Sequence, residues 1–414
     1  MTLLRLDSAS LLKRFFHLER AAATACGAWV PLVGRLETKS ALARTAWESA
    51  MVADALRERV FELRYPERDL EVPDDAGLIN LFESVLDAPS PRAFLEVVGD
   101  PLGRYLEGAY ARYLEVSDEV TDGPTFRFIA QAVDDKRRQR ALAGLAGHEP
   151  SSDADEVWLA AFGEELGRAA ADPLVPVPHL QGPEGRPYRA PELAARDDRY
   201  FACSFYWPDN FDPEYPYGEG LRLRVRSAVS HINEVWATDT AGVILAAYAP
   251  SLGWEWIRDA ARWLYDESRH MTMGARRLRA WGIPESEIPL GGYIYEAGAG
   301  RGPLYRLGML AYFETKNIGK KVQRAQSFGE LGDHESRADM EFDWADEAIH
   351  AGYGRTWLRR ALEAEHRVPD GWPDVVNGCE RLVSERIARA TTDEKKEIYE
   401  QADRLVRLAE EVQT

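Results

Sequence analysis

The chain has 414 residues, 45% of them apolar, enough for a packed core and too many for an intrinsically disordered protein. Its 69 acidic against 51 basic residues give a formal charge of −18, a field that opposes nonspecific attraction to nucleic acid or to an anionic membrane. The longest apolar run, 241–250, is half of the ~20 residues a membrane span needs, residues 1–20 lack a signal-peptide core, and Cys26, Cys203 and Cys379 form no disulfide framework or CxxC knuckle, so a cytoplasmic protein is expected.

Apolar residues at helical spacing predict helices over 8–30, 39–63, 100–117 and 125–145, which makes 1–147 a helical domain. Six prolines follow in 172–191 and cannot sit inside regular helices. The stretch 148–215 is therefore read as a Pro- and aromatic-rich linker with one short helix near 155–170. The run FYWPDNFDPEYPYGEG (205–220) has the composition of an ordered loop packed on a domain. Helical periodicity returns over 222–248, 254–282, 303–327 and 336–365, the four helices of a bundle spanning 216–365. Residues 366–414 are a helical extension, broken within 370–411. The fold class is all-α.

Two stretches of the second half share the pattern D-E-x-x-H: Asp266-Glu267-Ser268-Arg269-His270 and Asp346-Glu347-Ala348-Ile349-His350. Glu and His at i and i+3 share a helix face and can hold one metal ion between them. One ExxH is weak evidence, but two copies with the same preceding Asp, 80 residues apart, are harder to attribute to chance. Glu234 precedes Glu267 by 33 residues and Glu314 precedes Glu347 by the same 33. A run up one helix and down the next returns the chain to the same depth after about thirty residues at ~1.5 Å per residue. Glu234, Glu267, His270, Glu314, Glu347 and His350 can therefore converge. Four carboxylates and two imidazoles are the ligand set of a dinuclear iron or manganese centre.

The order E…DExxH…E…DExxH resembles the ferritin-like di-iron carboxylate proteins. The version with Asp before each Glu is similar to the hydroxylase subunit of soluble methane monooxygenase and the small subunit of ribonucleotide reductase. The resemblance covers about 222–360. It implies that Asp266 and Asp346 hydrogen-bond His350 and His270 across the bundle and fix their tautomers.

The first half carries a worn version of the same spacing. Glu19 precedes Glu48 by 29 residues and Glu107 precedes Asp135 by 28, but Met51 and Arg138 stand where the two His would fall. Arg cannot ligate a metal, yet it can neutralise left-over carboxylates. Four ordinary amphipathic helices explain the pattern equally well, and in either case a metal-free first domain is expected.

A carboxylate-rich site of two irons (Fe/Fe, or Mn/Fe) binds and reduces dioxygen. The expectation is an O2-dependent oxygenase or oxidase acting on a small molecule, with reducing equivalents from an external donor or the substrate. No nucleic-acid or membrane partner is expected, and a homodimer is compatible with the pattern. The alternatives are a non-catalytic metal-binding or scaffold protein and a tRNA-modifying di-iron hydroxylase, which the −18 charge disfavours. Thr238, one turn beyond Glu234, is the candidate catalytic hydroxyl, against the commoner role of bonding back to its own helix. Lys316, Lys320 and Arg324 repeat at i, i+4 and i+8 and form either an anion-attracting stripe or a solvated face. The glycine- and tyrosine-containing 291–305 and the aromatic 205–220 are candidate covers for opposite ends of the bundle.

Overall fold

A computed structural model describes residues 3–71, 76–172, 175–182 and 187–413. The chain divides into two compact units, Met1–Val33 with Ala41–Ala190, and Gly34–Ser40 with Pro191–Thr414. The Pro-rich stretch is thus shared, ending the first unit and opening the second. Among the described residues no helix is long and apolar enough to cross a membrane.

The first unit contains α1 (Arg5–Trp29), α2 (Leu36–Glu62, from Ala41 on), α3 (Ala76–Ser84), α4 (Pro91–Val97), α5 (Gly103–Val116), α6 (Glu119–Gln139), α7 (Leu142–Leu145) and α8 (Asp153–Ala171). Local chemistry starts several of them. Ser90 accepts from Ala93 N at 3.1 Å ahead of Pro91 at the head of α4, and Asp118 accepts from Val120 N and Thr121 N to cap α6. The sequence reading has no counterpart for α3 and α4, which are too short to show a period. The helix expected near 155–170 is α8, and it packs on α3 and α4 as part of this unit.

A polar knot sits inside the first unit. Glu19 is fully buried and accepts from Lys136 Nζ at 2.6 Å and from the Tyr110 hydroxyl at 2.6 Å. Lys136 also donates to Ser49 and Gln139, and Gln139 donates to Glu48 at 3.0 Å. Arg138 pairs with Asp135 and reaches Glu48 at 3.5 Å. Lys136, rather than Arg138, is the cation that balances the deepest carboxylate. Glu107 faces Arg137 and Arg140 at 2.9 and 3.2 Å, away from this knot.

The second unit contains α9 (Gly220–Ile232), α10 (Val235–Ala280), α11 (Tyr293–Ala297), α12 (Pro303–Glu330), α13 (His334–Ala364), α14 (Trp372–Ala388) and α15 (Thr392–Gln413). It also has a parallel pair of three-residue strands, β1 (Phe201–Cys203) and β2 (Pro289–Gly291), too short to read as alternation. The helix expected over 222–248 is interrupted at Asn233–Glu234. Asn233 accounts for the interruption: its amide donates to Val229 O and Pro289 O at 2.8 Å and its oxygen accepts from Gly291 N at 2.7 Å. Gly253, at φ 75° and ψ −162°, divides α10 into two arms. The Trp256 indole donates across that bend to Leu245 O at 3.1 Å. Gly274 lets α9 approach the second arm, since a Cβ there would lie 2.2 Å from Ile232 N. Gly332 (φ 69°) and the Asp333 cap turn α12 into α13. The extension is broken as expected, with α14 against α12 and α15 against α9.

Removing the ammonium of Lys136 leaves Glu19 charged and unbalanced in the core. Lys136→Met should destabilise the protein by about 3–5 kcal/mol, and Glu19→Gln in the same chain should recover most of it. Urea unfolding of the single and double variants reads this out; equal stability of all three chains would contradict it.

Candidate metal centre

Three helical segments and one break between helices deliver the site. Glu234 ends the break before α10, Glu267 and His270 lie on its second arm, Glu314 on α12, and Glu347 and His350 on α13. Their ligand atoms fall into two clusters, each within 4.8 Å overall: Glu234, His270, Asp343 and Glu347 in one, Glu267, Glu314, Glu347 and His350 in the other. Glu347 belongs to both. All are buried except Glu234, whose side chain keeps 17% of its surface exposed. These are two Glu/His clusters that can hold metal ions.

Both imidazoles are oriented from behind. His270 Nε2 lies 3.3 Å from Asp346 and His350 Nε2 lies 3.3 Å from Asp266. The two aspartates are themselves gripped by Arg262, at 2.6 and 3.2 Å, and by Arg269, at 2.7 and 2.9 Å. A proton on each Nε2 satisfies those aspartates and leaves a lone pair on each Nδ1. His270 Nδ1, His350 Nδ1 and Glu234 Oε2 are buried without a hydrogen-bond partner. Nδ1 of His270 lies 3.2 Å from Glu234 and 3.6 Å from Asp343, and Nδ1 of His350 lies 3.2 Å from Glu267. Buried donor atoms converging with their lone pairs unspent suit a cation at each cluster.

The electrostatics point the same way. Burial pushes the Glu347 carboxyl up, and the charges of Glu267 and Glu234 push it further, well above the ordinary range. Burial would also raise Glu267, but the two imidazoles beside it outweigh that and hold it down at about 2. Burial would lower His350, but Asp266 and Glu267 outweigh that and lift it to about 9. Glu347 and His350 thus hold protons against the crowded negative charge, and a metal ion bound between them would displace those protons.

Three residues of the site were not picked out from the sequence. Asp343 is one turn before Glu347 and two before His350, on the same face of α13, so its spacing was the available signal. Its second oxygen accepts from His231 at 3.0 Å. Lys321 is buried and donates to Asp343 at 2.5 Å and to Glu347 at 2.7 Å. Trp263 donates to Glu267 at 3.1 Å and Glu314 at 3.2 Å and stacks on His350. Thr238 is buried beyond Glu234 and its hydroxyl donates back to the Glu234 carbonyl at 3.1 Å; it does not line the adjoining cavity.

That cavity, of about 680 Å³, reaches Glu234, Glu267, Glu314, Asp343 and Glu347. Tyr206, Phe211, Tyr215 and Tyr217 of the aromatic run line it together with Tyr293 and Ile294. The two segments expected to cover opposite ends therefore face one cavity.

A family model described as a protein of unknown function, DUF455, matches residues 210–405, which include every residue of both clusters. No curated protein and no solved structure matches the chain.

Asp266→Asn and Asp346→Asn, which weaken the grip on the imidazoles, should each lower divalent-metal affinity about 10–100-fold. Equilibrium dialysis against Mn2+ measures this, and unchanged affinity in both variants would contradict the role given to the aspartates.

Proposed function

We propose that the protein is a non-haem di-iron oxidoreductase, an O2-dependent oxygenase or oxidase of a small molecule, built on a ferritin-like four-helix bundle within 216–365. The observation that carries this reading is the pair of buried clusters sharing Glu347, each with one imidazole whose Nε2 is held by an aspartate. The donor set is oxygen-rich with two nitrogens and no thiolate, which suits iron or manganese. Iron at both clusters, when bound, supplies the electrons that reduce dioxygen.

The chain's own residues do the rest. Glu234, His270 and Asp343 would hold one ion, Glu267, Glu314 and His350 the other, with Glu347 within reach of both. Asp266 and Asp346 orient the imidazoles. Trp263 fixes the Glu267 and Glu314 oxygens and closes that side of the site with an apolar ring. Lys321 holds Asp343 and Glu347 in place and can keep or deliver a proton at its Nζ. Electrons come from an external donor or the substrate. The first unit is a metal-free relic of the same plan, with Lys136 where an ion would otherwise balance Glu19.

One observation favours a second reading. The Lys321 ammonium occupies the oxygens that an ion at the Glu234 cluster would use, so a scaffold protein with no catalytic pair of metals is the alternative. Anaerobic loading with ferrous iron separates the two. The oxidoreductase should retain about two iron ions per chain and give a transient visible absorption when oxygen is added. Lys321→Met should retain iron at least as well, because the competing charge is gone. His270→Ala and His350→Ala should each lose iron; iron content unchanged in both would refute the proposal.

A further inference from the structure

We propose that the cavity beside the metal centre takes an organic anion, a carboxylate or phosphate head on a flat apolar body. The inference names the substrate class of the oxidoreductase proposed above and rests on that reading. Its ground is the charge of the lining outside the two clusters. Lys316, Lys320 and Arg324, successive turns of α12, all line the cavity. Lys316 donates to the Tyr312 hydroxyl at 2.5 Å and the Arg324 guanidinium lies 4.1 Å from the centre of the Tyr217 ring, both neutral partners that leave the charge in place. Outside the clusters the lining has one acid among the described residues, Asp209, and Arg226 already holds it through Nε and Nη2, each at 2.9 Å.

Arg226 supplies the second observation. It is 5% exposed, it lines the same cavity, and its Nη1 has no hydrogen-bond partner. Its Nη1 is covered by protein, with the rings of Tyr206, Trp207 and Tyr217 around the guanidinium, so Arg226 stiffens the wall and neutralises Asp209 without itself seating the ligand. The metal centre does not oppose this. With two divalent cations bound, those cations and Lys321 would balance its five carboxylates, so the loaded site would be neutral and the cations of the lining would act unopposed.

The walls define the body of the ligand. Phe211, Tyr215, Tyr293 and Phe313 present rings to the cavity, and Trp236 packs on Phe313 with centroids 5.1 Å apart. Rings on several sides suit a flat apolar group more than a polyol. The volume of about 680 Å³ is that of a small-molecule site.

The test is calorimetric titration of the metal-loaded chain with 2-naphthoate, 2-naphthyl phosphate and the neutral 2-naphthamide, with metal counted on the same samples. One of the anions should bind about tenfold more tightly than the amide. The more tightly bound anion identifies the head group. In the variant Lys320→Gln with Arg324→Gln, at one exposed and one half-buried position, that preference should fall about threefold or more while amide affinity holds. Equal binding of the three probes, binding of none, or an anion preference undiminished in the variant overturns the proposal. Two metals with no anion preference refute only this inference. An anion preference in a chain that holds no metal upholds it and refutes the dinuclear centre.

Discussion

Five carboxylates are confined to one buried region of the second unit, and the rest of that unit is arranged around their charge. Unpaired, they would cost far more than the stability of a domain. The first unit meets a smaller version of the same constraint with side chains alone: Lys136 balances Glu19, while Arg44, Arg138 and Gln139 serve Glu48. In the second unit Lys321 reaches two of the five, and the Nδ1 atoms of both imidazoles have no hydrogen-bond partner. The deficit of positive charge is what lets this region hold metal ions, whereas the first unit's knot is balanced by its own side chains.

Placement of the ligands follows from a few backbone events. Asn233 ties the end of α9 to β2, so Glu234 sits at a chain break instead of on a helical face. Gly253 turns α10 back on itself, and Gly274 lets α9 come close to the returning arm. Behind the imidazoles, Asp266, Asp346, Arg262 and Arg269 form a closed lattice of charge-assisted hydrogen bonds. Such a lattice holds the imidazoles in one orientation whether or not an ion is present, which lowers the reorganisation that binding requires.

The parts of this arrangement that depend on helical period were legible in the sequence. The two D-E-x-x-H stretches and the equal spacing to Glu234 and Glu314 bring those six residues together because a rise per residue and a turn angle are fixed by the backbone. Asp343 obeys the same period but falls outside the motif and passed for one more acid in a chain rich in them. Lys321 lies next to Lys320 in a basic run, and only the rotation of α12 decides that one of the two turns inward. The break at Asn233 depends on a bond to Pro289, 56 residues away, which no local pattern encodes. The same holds for the aromatic run 205–217 and for Tyr293, whose composition marked them as ordered while only tertiary contacts bring them to one cavity. The short helices α3 and α4 and the three-residue strands fall below the length at which periodicity is readable.

The most direct test of the central claim is anomalous diffraction at the iron absorption edge from crystals of the iron-loaded protein. Two peaks are expected, roughly 3.5–4 Å apart, one beside His270 and one beside His350. A single peak, or peaks away from these residues, would contradict that claim.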